Sequence, residues 1–532
     1  MTNYIRISSG SLDPNHASTI ATHFWNNVLL FPRDNAFSYI HDTSISHLTW
    51  CSIAARVFAI CEVLASNKLE PGEHVASWLQ NSIDWIALDF ACQTLGLVHV
   101  AIDHRESESR VIDFVKFSQS RLLVSINSEP ATPELLFEIP SNSLHTKVQN
   151  RLSCSILEIA HGQPPVCSKV SQLRMQASSV DPQKPAQMLF TSGTISKPKG
   201  VMLSHANLLS NALAKLKAAP QFVDDLRLNL LPFSHAYART CELTTWVLSR
   251  SRLAIVVDWS ELLLAAPLFQ PTLLNLVPIL ARRAAESLST DRGALGVKLR
   301  LLQVGGAALG EDLWRTLGGY SLPPLQGYGL TEASPVVCSN RAGGQRCSTV
   351  GPAVDGVELR LAADGELQVR GPGTMLGYWN DTAATEQILN DGWLSTGDLA
   401  TIDEEGYVHI VGRKSIRIVL DSGYKVDPAQ IEQKLQTDPL IQQAILVGDG
   451  RPFLAVMIYS NDCRCERELL RTVSTLLSDL PQYMRPRRIF VLPKPLSQTD
   501  DTLTAKGSPR RSIIMAAYRR EIDELYSSKL PK

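Results

Sequence analysis

Thr191-Ser192-Gly193-Thr194-Ile195-Ser196-Lys197-Pro198-Lys199-Gly200 gathers hydroxyls, glycine and two lysines directly after the apolar run Met188-Leu189-Phe190. Free backbone amides beside a cation can grip an anion, so this loop carries the chemistry of a polyphosphate cradle. It is not a Walker loop, because Pro198 separates the lysines and no Gly-Lys-Ser/Thr opens a helix after it. Ser, Thr, Gly, Pro and Lys are also what surface turns are made of, and taken alone the stretch reads equally as such a turn.

Further groups follow in order: Leu231-Pro232-Phe233-Ser234-His235-Ala236-Tyr237-Ala238-Arg239-Thr240, Gly305-Gly306-Ala307, Gly327-Tyr328-Gly329-Leu330-Thr331-Glu332, Leu394-Ser395-Thr396-Gly397-Asp398, Gly412-Arg413-Lys414, and Lys506 near the end. Singly, each has a plain structural reading: a satisfied core histidine, a core tyrosine, a solvated loop glutamate, a turn aspartate, a surface arginine or lysine. Together, over nearly the whole chain, they resemble the adenylate-forming superfamily of acyl-CoA synthetases, peptide-synthetase adenylation domains and luciferases. The stretch around His235 looks most like the long-chain fatty acyl-CoA synthetase branch.

The resemblance implies ATP-dependent activation of a carboxylic acid to acyl-AMP, with magnesium, and thioester formation with CoA. Loading of an acyl carrier protein, or a nucleotide-binding paralogue with reduced turnover, are the alternatives. It implies that Thr191, Ser192, Gly193, Thr194, Lys199 and Gly200 cradle the phosphates, and that Glu332 and Thr191 serve the metal, a hard cation that takes oxygen ligands. It further implies that Tyr328, with Gly329 and Thr331, stacks on adenine opposite Gly306 and Ala307. Asp398 and Arg413 would hold the ribose, and His235 would place the carboxylate. Lys506 would offset charge at the α-phosphate, while Gly423 and Lys425 would approach the CoA channel. Departures stand at Ile195-Ser196 in the loop and at Ser415-Ile416 near the hinge, where the family commonly has Thr-Gly and Lys-acid.

Elements must position these groups. Trp85 to Cys92 is helix-like and Leu97 to Ile102 strand-like, and strand-like runs recur at Leu253 to Val257, Leu273 to Val277 and Leu299 to Val304. Such alternation predicts an α/β fold with largely parallel sheets and ligands at the carboxyl ends of strands. Two tight turns, Asp364-Gly365-Glu366 and Asp403 to Gly406, precede a compositional shift after Gly412. The expected organisation is a large N-terminal domain of layered mixed and parallel sheets and helices, residues 1–412, with a small mobile α+β C-terminal domain, residues 413–532.

With 44 % hydrophobic residues and a formal net charge of −1, the chain is neither a charge-driven nucleic-acid binder nor a disordered tail protein. The ten cysteines are scattered, and Cys463-x-Cys465 has no second pair to complete a zinc site. Met1 to His16 lacks the apolar stretch of a targeting segment, and no run is long enough to span a bilayer. The expected partners are a small carboxylic acid and CoA or a carrier protein, with no nucleic acid. The expected location is the cytoplasm, a setting compatible with peripheral membrane association.

Overall fold

The computed structural model describes residues 18–41, 44–127, 134–138, 147–153, 167–191, 199–414, 418–421, 425–461, 466–478, 480–503, 507 and 509–527. Two eight-stranded sheets form its large unit. In the first, the order is Val336–Ser339, Leu325–Gly329, Leu301–Val304, Leu273–Leu276, Leu226–Asn229, Arg252–Ile255, Asn35–His41 and Ser44–Thr49. Its six inner strands run parallel, and antiparallel hairpin partners close both edges.

The second sheet has Gly377–Tyr378, Lys199–Ser204, Pro185–Thr191, Val98–Ile102, His74–Trp78, Leu122–Asn127, Glu134–Glu138 and Lys147–Ser153 in that order. Its centre is parallel, but Pro185–Thr191 and Lys199–Ser204 are antiparallel, in register Thr191↔Lys199. The parallel expectation therefore holds for the sheet centres, while the candidate phosphate loop sits on an antiparallel hairpin.

Helix Ile83–Leu95 shows how sequence specifies this packing. Ser82 caps it by accepting from the Trp85 N–H, and Gly96, at φ 69°, ends it in the left-handed conformation that glycine adopts without a Cβ clash. All but its last residue are buried, so its polar residues, Asp89 among them, are enclosed between layers with the apolar ones. Phe24, Trp50, Trp85, Phe90 and Trp246 pack there. Asp89, on the same helix, is fully buried and receives Arg239 at 2.6 Å and His99 at 2.9 Å. Burial alone would raise its pKa, but these donors hold it below the ordinary carboxylate range.

A third, antiparallel sheet of Glu358–Leu361, Glu366–Arg370, Trp393–Ile402, Leu389–Asn390 and Val408–Arg413 follows. Beyond it, Gln443–Val447, Ala455–Tyr459 and Arg488–Val491 form a small mixed sheet whose two faces carry separate apolar clusters. Helices Pro428–Leu435, Glu466–Leu476, Arg511–Ala517 and Arg519–Ser527 accompany it. The smaller unit is thus α+β. Among the described residues, no helix is long and apolar enough to cross a membrane.

Candidate active site

Lys199 opens its strand directly across from Thr191, the last residue of the preceding strand. Its Nζ lies 4.6 Å from the centre of the Tyr378 ring, a cation–π contact. Tyr378 reaches this place because its short strand pairs with Val201 on the far side of the hairpin. The Tyr378 hydroxyl then donates to Glu332 Oε1 at 2.7 Å. Lys199, Tyr378 and Glu332 are thereby brought together from segments far apart in the chain. Burial, then the Glu332 carboxylate, raises the Tyr378 phenol well above its ordinary range, so it stays a donor.

Gly200 has a packing reason to be glycine. A Cβ there would sit 2.9 Å from Met188 Sδ and 3.2 Å from Phe117 Cε1, so it serves close packing behind the hairpin. Ser192, Gly193, Thr194, Ile195 and Ser196 lie outside the described residues, as do Ser415, Ile416, Gly423, Lys506, Cys463 and Cys465. Lys425 is placed only as backbone, in the strand Lys425–Val426.

Tyr328 and Gly329 end the strand Leu325–Gly329, and Thr331 and Glu332 belong to the 3₁₀ turn Thr331–Ala333 beyond it. Gly329 is obligatory, because a Cβ would fall 1.8 Å from the Pro335 carbonyl oxygen. The neighbouring parallel strand Leu301–Val304 is in register Val304↔Gln326, so Gly306 and Ala307 emerge beside Tyr328 at the carboxyl ends. Gly306, Ala307 and Ala308 are exposed there.

The expected ribose pair comes together as an ion pair. Asp398 and Arg413 are register partners on antiparallel strands. Arg413 Nε donates to Asp398 Oδ1 at 2.7 Å, and the Tyr328 hydroxyl donates to Asp398 Oδ2 at 2.6 Å. Burial, then Asp398, pushes the Tyr328 phenol up. Tyr328 is therefore fixed at its hydroxyl end, which leaves its ring pinned beside the exposed Gly306–Ala308 edge.

His235 caps the single-turn helix Ala236–Ala238, and its Nε2 lies 3.2 Å from Asp103 Oδ2. Asp103 leaves the carboxyl end of Val98–Ile102 and is gripped by the Arg105 fork at 2.9 and 2.7 Å. Burial alone would raise its pKa, but the hydrogen bonds from Arg105 and His235 carry it far below the usual carboxylate range. Asp103 was not singled out from the sequence; its position at a strand exit was the only signal. Arg239 and Thr240, which carried the branch resemblance, turn inward: Arg239 to Asp89, and Thr240 Oγ1 to the Ser334 carbonyl at 2.8 Å.

No group of three or more His, Cys, Asp or Glu able to hold a metal occurs among the described residues. Glu332, a single carboxylate oriented by Tyr378, fits a magnesium ion that keeps waters and phosphate oxygens for its remaining ligands.

Whole-chain comparison places the sequence in a family. Residues 24–379 match the family model for the AMP-binding enzyme, and residues 416–530 match that for the AMP-binding enzyme C-terminal domain. The chain belongs to the AMP-binding enzymes, the adenylate-forming superfamily. It is 27 % identical over 570 aligned residues to the long-chain-fatty-acid–CoA ligase FadD15 of Mycobacterium bovis, covering 91 % of this chain and 92 % of that protein. In fold it resembles the anthranilate CoA ligase AuaEII in complex with anthranoyl-AMP, with a TM-score of 0.78, 19 % identity and coverage of 95 % and 98 % of the two chains. It also resembles the o-succinylbenzoate coenzyme A synthetase MenE of Bacillus subtilis in complex with ATP and magnesium, with a TM-score of 0.73, 20 % identity and coverage of 92 % and 98 %.

Proposed function

We propose that this chain is an AMP-forming acid–thiol ligase. A carboxylate attacks the α-phosphorus of MgATP to give acyl-AMP and pyrophosphate, and the thiol of CoA then displaces AMP. The observation that carries the reading is that two trios, Lys199–Tyr378–Glu332 with its first two members from the second sheet and Tyr328–Asp398–Arg413 with its last two from the third, both meet the exit of the strand Leu325–Gly329, which Tyr328 and Gly329 end and Glu332 follows. One trio is suited to a polyphosphate and the other to a nucleoside.

In this reading Lys199 faces the phosphates, and Glu332, its free oxygen aimed by the Tyr378 bond, holds the metal. Bound magnesium supplies charge neutralisation across the phosphate oxygens. Asp398 keeps lone pairs for the ribose hydroxyls after serving Tyr328 and Arg413. His235, steadied by Asp103, places the carboxylate for in-line attack, so positioning and electrostatics carry most of the rate. Lys506 adds a positive charge at the α-phosphate.

We further propose that the expected division at 412/413 moves to just after Arg413, because Arg413 is in register with Asp398 in the third sheet and the C-terminal family model begins at 416. The substrate we propose is a medium- or long-chain fatty acid, supported by the similarity to FadD15 along nearly the full chain. Pyrophosphate release is the test, measured with octanoate, palmitate and benzoate, each with CoA and with a phosphopantetheinylated carrier protein. Turnover with benzoate alone would reject the fatty acid, turnover only with carrier protein would reject CoA, and no release with any acid would reject the ligase reading.

A further inference from the structure

The turn that carries Glu332 is held from behind by buried side chains. Helix His205–Ala218 follows the hairpin strand Lys199–Ser204 without a break, and Ser204 and Asn207 close its first turn with reciprocal hydrogen bonds. Asn207, Asn211 and Lys215 recur at four-residue steps, so they line one edge of the helix, and each is more than nine-tenths buried. Asn207 Nδ2 donates to the Pro372 carbonyl at 2.7 Å, and Lys215 Nζ donates to Ser339 Oγ at 3.0 Å. Between them, Asn211 directs its whole amide at the Glu332 turn. Its Nδ2 donates to the Ala333 carbonyl at 3.2 Å and to the Val336 carbonyl at 2.8 Å, and its Oδ1 accepts from the Val336 N–H at 3.0 Å.

A second side chain grips the same turn from another direction. Thr240, fully buried, donates from Oγ1 to the Ser334 carbonyl at 2.8 Å, and Ser334 Oγ in turn donates to the Gly373 carbonyl at 2.7 Å. The Met375 N–H donates to the Glu332 carbonyl at 2.9 Å, on the segment that leads to Tyr378, whose hydroxyl aims the carboxylate. Ser334 sits at φ 70°, a left-handed conformation that a side chain rarely takes, so the shape of the turn depends on bonds from outside it.

We propose that Asn211 and Thr240 are positioning residues for the metal-binding carboxylate. They fix the turn Thr331–Ala333 against helix His205–Ala218, and so set Glu332 at a defined separation from Lys199, which stands on the strand feeding that helix. The proposal rests on the reading of Glu332 as the magnesium ligand given above. Both side chains bond to backbone, at Ala333, Ser334 and Val336, so they act on the carboxylate through the turn and not by ligation.

The test is binding of α,β-methylene-ATP to the full chain, measured by calorimetry with and without magnesium, with AMP as the reference ligand. Asn211→Ala is expected to weaken binding of the magnesium-loaded analogue about five- to tenfold and Thr240→Val about three- to fivefold, the range that a lost buried hydrogen bond supports. Thr240→Ser keeps the hydroxyl and should bind as the parent does. AMP needs no metal, so its affinity should stay within about twofold of the parent in every variant. In a Glu332→Gln background neither Asn211→Ala nor Thr240→Val should weaken the magnesium-loaded analogue further, because a positioning residue has no effect once the group it aims is gone. A full additional loss in that background, or an equal loss for AMP, would overturn the proposal.

Thr240→Val is nearly isosteric, so it carries the test if Asn211→Ala lowers the yield of folded chain. Unchanged magnesium dependence in Glu332→Gln would instead reject the metal role of Glu332. Amide exchange at residues 331–334 and 336 then decides whether the two side chains hold the turn: both variants should raise it, and exchange equal to the parent would overturn the proposal.

Discussion

Asp398 offers the sharpest perturbation, because its two oxygens have separate partners. Tyr328 takes Oδ2 at 2.6 Å and Arg413 takes Oδ1 at 2.7 Å. Replacement by Asn keeps the shape and one acceptor but turns an amide NH₂ toward a donor already in place. Each hydrogen bond to a charged group is worth about 1.5–3 kcal/mol. Arg413 is half exposed, so its share is largely screened and the fold should tolerate the change. If the ribose hydroxyls also lie on this carboxylate, one such bond lost from the bound state raises the ATP requirement roughly 10- to 100-fold, at about 1.4 kcal/mol per factor of ten. Tyr328→Phe removes only the internal bond, which is present with and without nucleotide, so most of its worth cancels from the binding equilibrium and the requirement should rise no more than about fivefold. ATP titrations of pyrophosphate release on the parent and both variants make the comparison. An Asp398→Asn titration equal to the parent, or equal to that of Tyr328→Phe, would refute the ribose assignment.

Tyr378→Phe should raise the magnesium requirement several-fold, by about 1 kcal/mol, without altering the melting profile appreciably; a magnesium titration checks it. Asp89→Ala leaves Arg239 buried and unpaired, which should cost about 3–5 kcal/mol and appear as a lowered thermal midpoint or as loss of soluble chain. Gly329→Ala should abolish activity, since its Cβ has no room against the Pro335 backbone, and circular dichroism will show whether the fold survives. His205 is wholly buried, and burial lowers its pKa from 6.5 to about 4. A folded-state value below the unfolded one means that this histidine's stability contribution is intact above pH 6.5 and is lost as pH falls toward 4, amounting to about 3 kcal/mol. Urea midpoints between pH 7 and 4 should fall less steeply in His205→Leu than in the parent.

Much of the frame was legible because its signals are local. The apolar run ending at Thr191, the helical pattern from Trp85 to Cys92 and the glycine-broken strand ends each announce an element within a few residues. The partnerships that make the site are not local. Tyr378 meets Glu332 across 46 positions, and Asp103 meets His235 across a still longer separation, so no spacing rule could pair them. Part of the stretch from His235 to Thr240 turns away from the site. Arg239 neutralises a buried aspartate, a partnership that a linear motif does not disclose. Gly200 likewise answers to Met188 and Phe117, which leave no room for a side chain there.

The strand Val408–Arg413 carries a consequence for timing. Because Arg413 is laddered against Asp398 inside the third sheet, it belongs mechanically to the stator, and any pivot for the C-terminal unit falls beyond it. Were the C-terminal unit to turn about such a pivot, and were this pair to hold the sugar as proposed, the turn would leave the Arg413–Asp398 bond intact. The departing nucleotide would then keep its moorings until the acyl group has changed hands, so the leaving group stays in place while the incoming thiol arrives.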